Sequence, residues 1–320
     1  TIPASVTSYY ASFGGCTALT AFTVADDNTA FCAVNGILYS KDMSTLFQCP
    51  GSFTSVTIPD SVTIIADEAF DSGKLTAVSI PDSVTTVSGR AFYTCTALTS
   101  LTLGQNVETI GFEAFYKCTA LTAVTIPASV ASYDAAFGGC TALTAFTVAD
   151  GNKAFCAVDG VLYSKDLKTL VQCPGSFTAV AIPAGVTAIA EEAFDSGKLT
   201  TVSIPDSVTG IGDFAFFECT DLMTMYLGSG IAEIGLAFDY NFYAADGTEL
   251  VGEKAIAGHC YKFVEADSGD KYVVYDGNLV NVTGTNGTVT GGGLYAADTD
   301  VTITATAADG YSFLVNCAVY

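Results

Sequence analysis

His259 and Cys260 are the adjacent pair of residues best suited to nucleophilic chemistry in this sequence. A thiol beside an imidazole acts as an activated nucleophile when the two side chains face each other. His259 is the one histidine of the chain, so a Ser-His-Asp or Cys-His arrangement would have to include it. Neighbouring residues on a strand point to opposite faces. We therefore expect no catalytic residues, and the sequence favours a protein that is not an enzyme.

Paired carboxylates are a second source of chemistry, because hydrolases use two acids. Asp67-Glu68 and Glu191-Glu192 occupy equivalent positions of a repeat, which indicates a solvated surface and leaves a hydrolase as the least favoured alternative. Asp26-Asp27-Asn28 and Asp298-Thr299-Asp300 could hold a cation weakly, although neither has the pattern of a calcium loop. The glycine-rich stretch at 228–230 lacks the context of a dinucleotide site. The sequence predicts no cofactor and no metal site.

The chain has eleven cysteines, and their placement indicates packing. Five of them follow a recurring phenylalanine by three residues, so stacked repeats would align their side chains in one direction, whereas a disulfide needs side chains that converge. Zinc is not expected, because no C-x₂-C pair is present. We expect buried thiols that fill space as small apolar groups. The members of this column are Cys16, Cys95, Cys118, Cys140 and Cys219.

The elements that position these residues form a repeat within a repeat. A unit of 22 to 23 residues recurs along the chain, and a block of five units, one of them 34 residues long, recurs with a period of 124 residues. The alternating stretch LTSLTL (98–103) predicts a short strand. Val107, Ile110 and the Ala114-Phe115 pair then have the spacing of a helical or 3₁₀ turn. Such a unit buries its apolar face only by stacking on its neighbours.

The run AFYKCTALTAVTIPASV (114–130) resembles the BspA-like, or Treponema-type, bacterial leucine-rich repeats, whose pattern is approximately AFxxCxxLxxVxIPxSVxxI. The runs at 91–107 and 215–231 are similar in the same frame. The resemblance covers about residues 1–240 and implies a curved leucine-rich-repeat solenoid with a parallel sheet on its concave side. It also implies a secreted or cell-surface bacterial protein that binds host or matrix proteins.

The 34-residue unit contains an insertion, FCAVNGILYSKDMSTLFQCP (31–50), which recurs at 155–174. Asn-Gly in its first copy predicts a two-residue hairpin turn, and the four-residue loop KDMS predicts a second hairpin. We therefore expect two β-hairpin insertions that project from the solenoid. This meander places Cys32 and Cys49 on its outer strands, about 10 Å apart. No disulfide is expected between them or between Cys156 and Cys173, and a Cys260–Cys317 disulfide is left open.

The composition changes at about residue 241 to Gly, Asp, Tyr and Val without the repeat. We predict two domains, a leucine-rich-repeat solenoid at 1–240 and a small all-β domain at 241–320. The segment 287–313 resembles the small β repeats that bacterial surface proteins carry beside such solenoids.

Charge and hydropathy limit the partners. The net charge of −22 repels phosphate backbones and anionic lipid, so nucleic acid is not an expected partner. Mean hydropathy is +0.45, too apolar for disorder, yet no apolar run reaches the length of a membrane span. The first residues lack the pattern of a signal peptide, and we expect that any export signal has been removed or trimmed. We expect a monomer without membrane insertion.

Candidate binding residues lie at the outward positions of the strands and on the insertions. The strands present an uncharged surface of small hydroxyl groups. The insertions and the end of the array add tyrosines, which are among the residues that anchor interfaces, and the insertions also add lysines. We predict a non-catalytic binding or adhesion protein that recognises a protein or glycan through the solenoid face and inserted hairpins. The alternative is a structural spacer that displays another domain. The candidate residues are Tyr39, Lys41, Tyr163, Lys165, Thr102, Thr125, Thr147 and Tyr226.

Overall fold

The computed structural model describes the side chains of residues 1–245, 247–252, 256–265 and 269–275, and beyond these the backbone of five strands between residues 278 and 319. The chain divides into two compact units, Thr1–Lys165 and Asp166–Tyr320. The candidate cation site at 298–300 and the side chain of Cys317 lie outside the described residues. The domain boundary at residue 240 stays a prediction.

Strands joined by turns make up the first unit. They are β1 (Phe31–Val34), β2 (Ile37–Ser40), β3 (Thr45–Gln48), β4 (Ile64–Ile65), β5 (Ala77–Ser79), β6 (Thr86–Val87), β7 (Ser100–Thr102), β8 (Thr109–Ile110), β9 (Ala123–Ile126), β10 (Ser132–Tyr133), β11 (Ala145–Val148), β12 (Phe155–Val158) and β13 (Val161–Ser164).

The predicted strands of the repeat pair in parallel as two two-stranded sheets, and we call these four strands together the first ladder. Strand β5 pairs with β7, and β9 pairs with β11, each residue lying beside its equivalent in the next repeat. Val78, Val124 and Phe146 point inward and are buried, while their neighbours along each strand point outward. The fold is therefore a β-solenoid of stacked repeats, as predicted.

A second parallel ladder stands where the sequence predicts a helical or 3₁₀ turn. Strands β4, β6, β8 and β10 pair in succession along it. The turns that follow also bond between repeats, for example Phe92 N to Ala114 O at 2.7 Å. Arg90 and Glu113, each just before an Ala-Phe pair, have left-handed φ angles of 54° and 52°. This conformation directs amides toward the next repeat, so a helix does not form.

A column of phenylalanine rings fills the interior. Phe70, Phe92, Phe115 and Phe137 stack face to face with centroids 4.5, 4.9 and 4.8 Å apart and interplanar angles of 5°, 4° and 4°. This spacing matches the distance between neighbouring strands. Each repeat therefore contributes one ring, and the rings rise in step with the ladders.

The predicted thiol column lies beside these rings. Cys95 and Cys118 are fully buried free thiols, and their Sγ–H groups donate to the carbonyl oxygens of Phe70 and Phe92 at 3.1 and 3.3 Å. The prediction of buried thiols is confirmed for them. Cys16 corrects it, because its side chain is exposed.

The insertion is an antiparallel meander in which β2 lies between β1 and β3. Asn35 and Gly36 have φ angles of 52° and 80°, as the predicted two-residue turn requires. Cys32 and Cys49 are free thiols, and the Cys32 Sγ–H donates to Ser40 O at 3.2 Å. The hairpins and the absence of a Cys32–Cys49 bond are confirmed.

The expectation that the hairpins project is wrong. Strand β3 pairs in parallel with β4, so the meander continues the second ladder. Ile37 and Leu38 of the middle strand are 4% and 1% exposed. Leu38 packs in one core cluster with Ile2 and Phe22 of the preceding repeat. Removing this apolar surface from water is what holds the meander against the solenoid.

The strands of the second unit are β14 (Thr169–Gln172), β15 (Ala188–Ile189), β16 (Thr201–Ile204), β17 (Gly210–Ile211), β18 (Thr224–Leu227), β19 (Glu233–Ile234), β20 (Phe242–Tyr243), β21 (His259–Val264), β22 (Lys271–Val274), β23 (Asn278–Thr285), β24 (Gly287–Thr290), β25 (Gly293–Tyr295), β26 (Thr304–Ala307) and β27 (Leu314–Val319).

The second unit repeats the two-ladder plan and then adds antiparallel strands. Strands β14, β15, β17 and β19 form one parallel ladder, and β16 pairs in parallel with β18. Strand β21 pairs antiparallel with β18 and with β22. The residues that follow the repeats thus continue a solenoid sheet. Further along, β23 pairs antiparallel with β25 and β27, and β24 with β26.

Candidate binding surface

The outward positions of the first ladder carry hydroxyl groups in successive repeats. Thr102, Thr125 and Thr147 are exposed on β7, β9 and β11. The hydroxyls of Thr125 and Thr147 share a hydrogen bond at 2.7 Å. We call these three residues the threonine ladder. β-Branched side chains are restricted at χ1, so this surface presents its hydroxyl groups in a nearly fixed array.

Lys41 and Lys165 are exposed at the ends of the insertion hairpins. The Lys41 amide donates to Ala30 O at 2.8 Å, which fixes the start of the loop. Asp42 next to it accepts from the Ser40 hydroxyl at 2.6 Å and from the Ser44 hydroxyl at 2.8 Å. These hydrogen bonds lower the pKa of Asp42 to about 2. Each lysine is thus exposed to solvent next to a turn that hydrogen bonds hold in place.

Tyr39 and Tyr163 correct the prediction, since each is 1% exposed. Both lie at the third position of a strand whose first three residues are all buried. Burial raises the pKa of Tyr39 to about 12. Strand alternation alone would have placed one side in solvent, but both sides of this strand are covered. Neither tyrosine is available to a partner.

Tyr226 lies on β18 in the second unit and is half-buried. Its hydroxyl donates to Asp206 Oδ1 at 2.8 Å, and this bond, after that of the Ser229 amide, lowers the pKa of Asp206. Strand β21 pairs along the edge of β18. Tyr226 is therefore part of a sheet interior rather than the end of an array.

The acidic pairs are less solvated than predicted. Asp67 and Glu191 are exposed, Glu68 is half-buried, and Glu192 is only 5% exposed. Glu68 and Glu192 have left-handed φ angles of 55° and 53°. The backbone is therefore not extended at these two residues. Burial and the neighbouring carboxylate of Asp71 raise the pKa of Glu68.

The residues considered for chemistry are separated. His259 is exposed and Cys260 is buried on the same strand, as the alternation of a strand predicts. The Asn28 side chain is occupied, because it donates to Pro3 O and Val6 O and accepts from two amides. Within the described ranges, no group of three His, Cys, Asp or Glu side chains could hold a metal ion.

A groove that the sequence did not suggest opens in the first unit, with a volume of about 590 Å³. It brings together aromatic side chains, two acids and Arg90, the one arginine of the chain. We call it the aromatic groove. The sequence did contain a hint of this groove. Several of the residues that line it differ in type from the residues at the equivalent positions of the second block, 124 residues later. Its lining residues are Tyr9, Tyr10, Ala11, Phe47, Ala66, Asp67, Glu68, Gly89, Arg90 and Phe112.

Comparison with protein families agrees with this architecture. The family model of the BspA type leucine rich repeat region matches residues 43–157 and 168–248, in six copies. The chain belongs to the BspA-type leucine-rich repeat family. Residues 278–315 of this BspA-type protein match the model of the divergent InlB B-repeat domain.

Solved structures of bacterial leucine-rich repeat proteins are similar to this chain. The crystal structure of the pneumococcal vaccine antigen PcpA has 23% identity and a TM-score of 0.55, with 67% of this chain and 64% of that chain covered. At this identity the likeness concerns the fold, and the chain spans less than two thirds of that antigen's structure.

Two further structures have lower TM-scores. A leucine-rich cell surface protein of Faecalibacterium prausnitzii has 25% identity, coverage of 73% of this chain and 87% of that chain, and a TM-score of 0.33. A leucine-rich repeat protein of Eubacterium ventriosum has 20% identity, coverage of 64% and 74%, and a TM-score of 0.39. Comparison with curated protein sequences gives no significant match. No helix among the described residues is long and apolar enough to cross a membrane.

Proposed function

We propose that this BspA-type protein is a non-catalytic binding module of a secreted or cell-surface bacterial protein, and that it contacts a protein or glycan through the threonine ladder and the lysines of the insertions. The observation that carries the proposal is the threonine ladder. Its exposed hydroxyls stand at successive repeats, and Thr125 and Thr147 bond to each other.

The physical argument concerns the cost of binding. Side chains that are already restricted lose little conformational entropy when a partner orders them. An uncharged hydroxyl surface also avoids the desolvation of ions, which is costly when pairing is imperfect. Lys41 and Lys165 are exposed, and their ammonium groups add hydrogen-bond donors for short-range contacts with a partner.

An array of matrix proteins and glycans tests the proposal with charge substitutions. Deleting the hairpins is unsuitable, because their middle strands belong to the core. We expect a captured partner to bind the Thr125→Glu/Thr147→Glu variant at least tenfold more weakly, and Lys41→Glu several-fold more weakly. Thr63→Glu is the control, since Thr63 is exposed beside the second ladder. No captured partner, or equal loss in the control, would contradict the proposal and favour a spacer.

A further inference from the structure

The aromatic groove combines residues that are far apart in sequence. The segment that contains Tyr9 and Tyr10 lines it together with Asp67, Arg90 and Phe112, which follow successive strands of the second ladder. A groove lined by aromatic groups with a few placed polar groups is the usual form of a small-ligand site.

Tyr10 is the exposed aromatic group of this groove. It is 85% exposed, whereas the other tyrosines in the part of the chain whose side chains the structure describes are buried or half-buried. Tyr9 next to it is held in place: its ring packs on those of Phe13 and Phe47, with centroids 6.2 and 5.5 Å away, and its hydroxyl donates to Gln48 Oε1. Tyr9 therefore anchors this segment, and the exposed Tyr10 ring lies at the groove.

Arg90 supplies hydrogen-bond donors to the groove. Its Nε donates to Glu113 Oε2 at 2.6 Å, and its guanidinium carbon lies 5.5 Å and 5.8 Å from the ring centroids of Tyr93 and Phe112. These contacts fix the plane of the group. A guanidinium has five N–H donors, and the four at its outer end have no protein partner among the described residues. The Arg90 side chain is 49% exposed.

The groove also supplies acceptors. The carboxylates of Asp67 and Glu68 line it beside Arg90. The two carboxylates outnumber the one guanidinium, which is already paired with Glu113, so an anionic ligand is repelled. A cationic ligand could pair with the carboxylates but would leave the outer N–H donors of Arg90 without an acceptor. A neutral polyhydroxylated ligand serves both, because its hydroxyls can donate to the carboxylates and accept from Arg90. The C–H groups on one face of a sugar ring suit the negative face of an aromatic ring.

We propose that the aromatic groove is a saccharide-binding site that takes a neutral sugar ring, with Tyr10 stacking on the ring and Arg90, Asp67 and Glu68 binding its hydroxyls. This site is separate from the threonine ladder, and it does not depend on the function proposed for that ladder.

The second block of the chain shows which residues are particular to the groove. At the equivalent positions, 124 residues later, Asp134 replaces Tyr10, Val171 replaces Phe47, Phe214 replaces Arg90 and Leu236 replaces Phe112. The partner of Arg90 changes too, since Ala237 replaces Glu113. The other block thus folds the same repeat without this set of side chains. Substitutions that copy it remove the groove's chemistry with little expected effect on folding.

The test uses the full chain and measures saturation-transfer NMR with methyl glycosides of glucose, galactose, mannose and N-acetylglucosamine. Glucuronate and Nα-acetyl-lysine amide serve as charged probes. We expect at least one neutral glycoside to bind, with transfer to its ring C–H protons. Tyr10→Asp and the paired Arg90→Phe/Glu113→Ala variant should each weaken that binding at least tenfold, which corresponds to about 1.4 kcal/mol.

Phe214→Ala is the control, because Phe214 is an exposed aromatic residue outside the groove, in the second unit. Its binding should equal that of the unmodified chain, and far-ultraviolet circular dichroism should show that all variants fold. Thr125→Glu/Thr147→Glu should also leave sugar binding intact, which separates this proposal from the threonine ladder. The proposal is overturned if no neutral glycoside binds, if Tyr10→Asp binds equally well, or if a charged probe binds more tightly.

Discussion

Replacing Asn152 with alanine removes four hydrogen bonds at one buried position of the first unit. The side chain is 2% exposed, and its Nδ2 donates to Pro127 O at 2.8 Å and to Val130 O at 3.0 Å. Its Oδ1 accepts from the amides of Ala154 and Phe155, both at 2.8 Å. One amide group thus joins the turn of the preceding repeat to the start of β12.

The magnitude follows from the burial of these partners. Pro127, Val130 and Phe155 are buried, whereas Ala154 is half-buried and can bond to water. A buried polar group that loses its partner costs about 1 to 3 kcal/mol. The Pro127 carbonyl keeps the Val130 amide as a donor at 3.3 Å, so the two buried groups that lose their bond are Val130 O and the Phe155 amide. With partial relaxation of the chain, the expected loss in the free energy of unfolding is about 3 kcal/mol.

Two measurements check this expectation. Urea unfolding followed by circular dichroism reports the loss of stability, and hydrogen exchange of the Phe155 amide reports the local effect. The local measurement matters because repeat proteins unfold in neighbouring segments and a single free energy can mislead. Asn28→Ala is an internal replicate, since Asn28 makes the same four bonds at the same distances.

The control is Asn106→Ala. Asn106 is exposed and its Nδ2 donates to Asp82 O at 2.8 Å, so its loss should cost less than about 1 kcal/mol. If Asn152→Ala costs no more than Asn106→Ala, and Phe155 exchange is unchanged, then the buried asparagine does not hold the hairpin and the reasoning is refuted.

Two further predictions concern titratable groups. Iodoacetamide at pH 8 should label the exposed Cys16 rapidly and Cys95 only after unfolding, because burial raises the pKa of Cys95 to about 12; rapid labelling of both would contradict this. The Asp42 carboxyl should titrate by NMR near pH 2, below its ordinary 3.8, so its contribution to stability is present above pH 4 and is lost as the pH falls toward 2. Ser40→Ala should raise that midpoint, and an unchanged midpoint would exclude the hydrogen bond as its cause.

Local turn chemistry and periodicity made much of the fold predictable. The first ladder follows from the alternation of LTSLTL, and the first hairpin follows from Asn35-Gly36, whose left-handed φ angles few other residues adopt readily. The column of Cys95 and Cys118 follows from equal spacing, because equivalent residues of stacked repeats must lie one above another.

The second ladder could not be predicted in the same way. The spacing of Val107, Ile110 and Ala114 suits a helical turn as well as a two-residue strand, since short apolar patterns do not distinguish them. What decides is the bonding between repeats, and non-glycine residues such as Arg90 and Glu113 adopt left-handed φ to permit it. A left-handed φ is uncommon for residues other than glycine, so the residue types at these positions do not predict it.

The candidate binding surface likewise has features that the sequence predicts and features that only the structure shows. The sequence by itself determined the repeat, its family and the exposed threonines, because outward positions of a regular strand are set by alternation. Only the tertiary structure decided that Tyr39 is buried, since both faces of its strand are covered only once the chain has folded. It alone also brought Tyr10 and Arg90 into one groove, because residues so far apart in sequence meet only when the solenoid stacks.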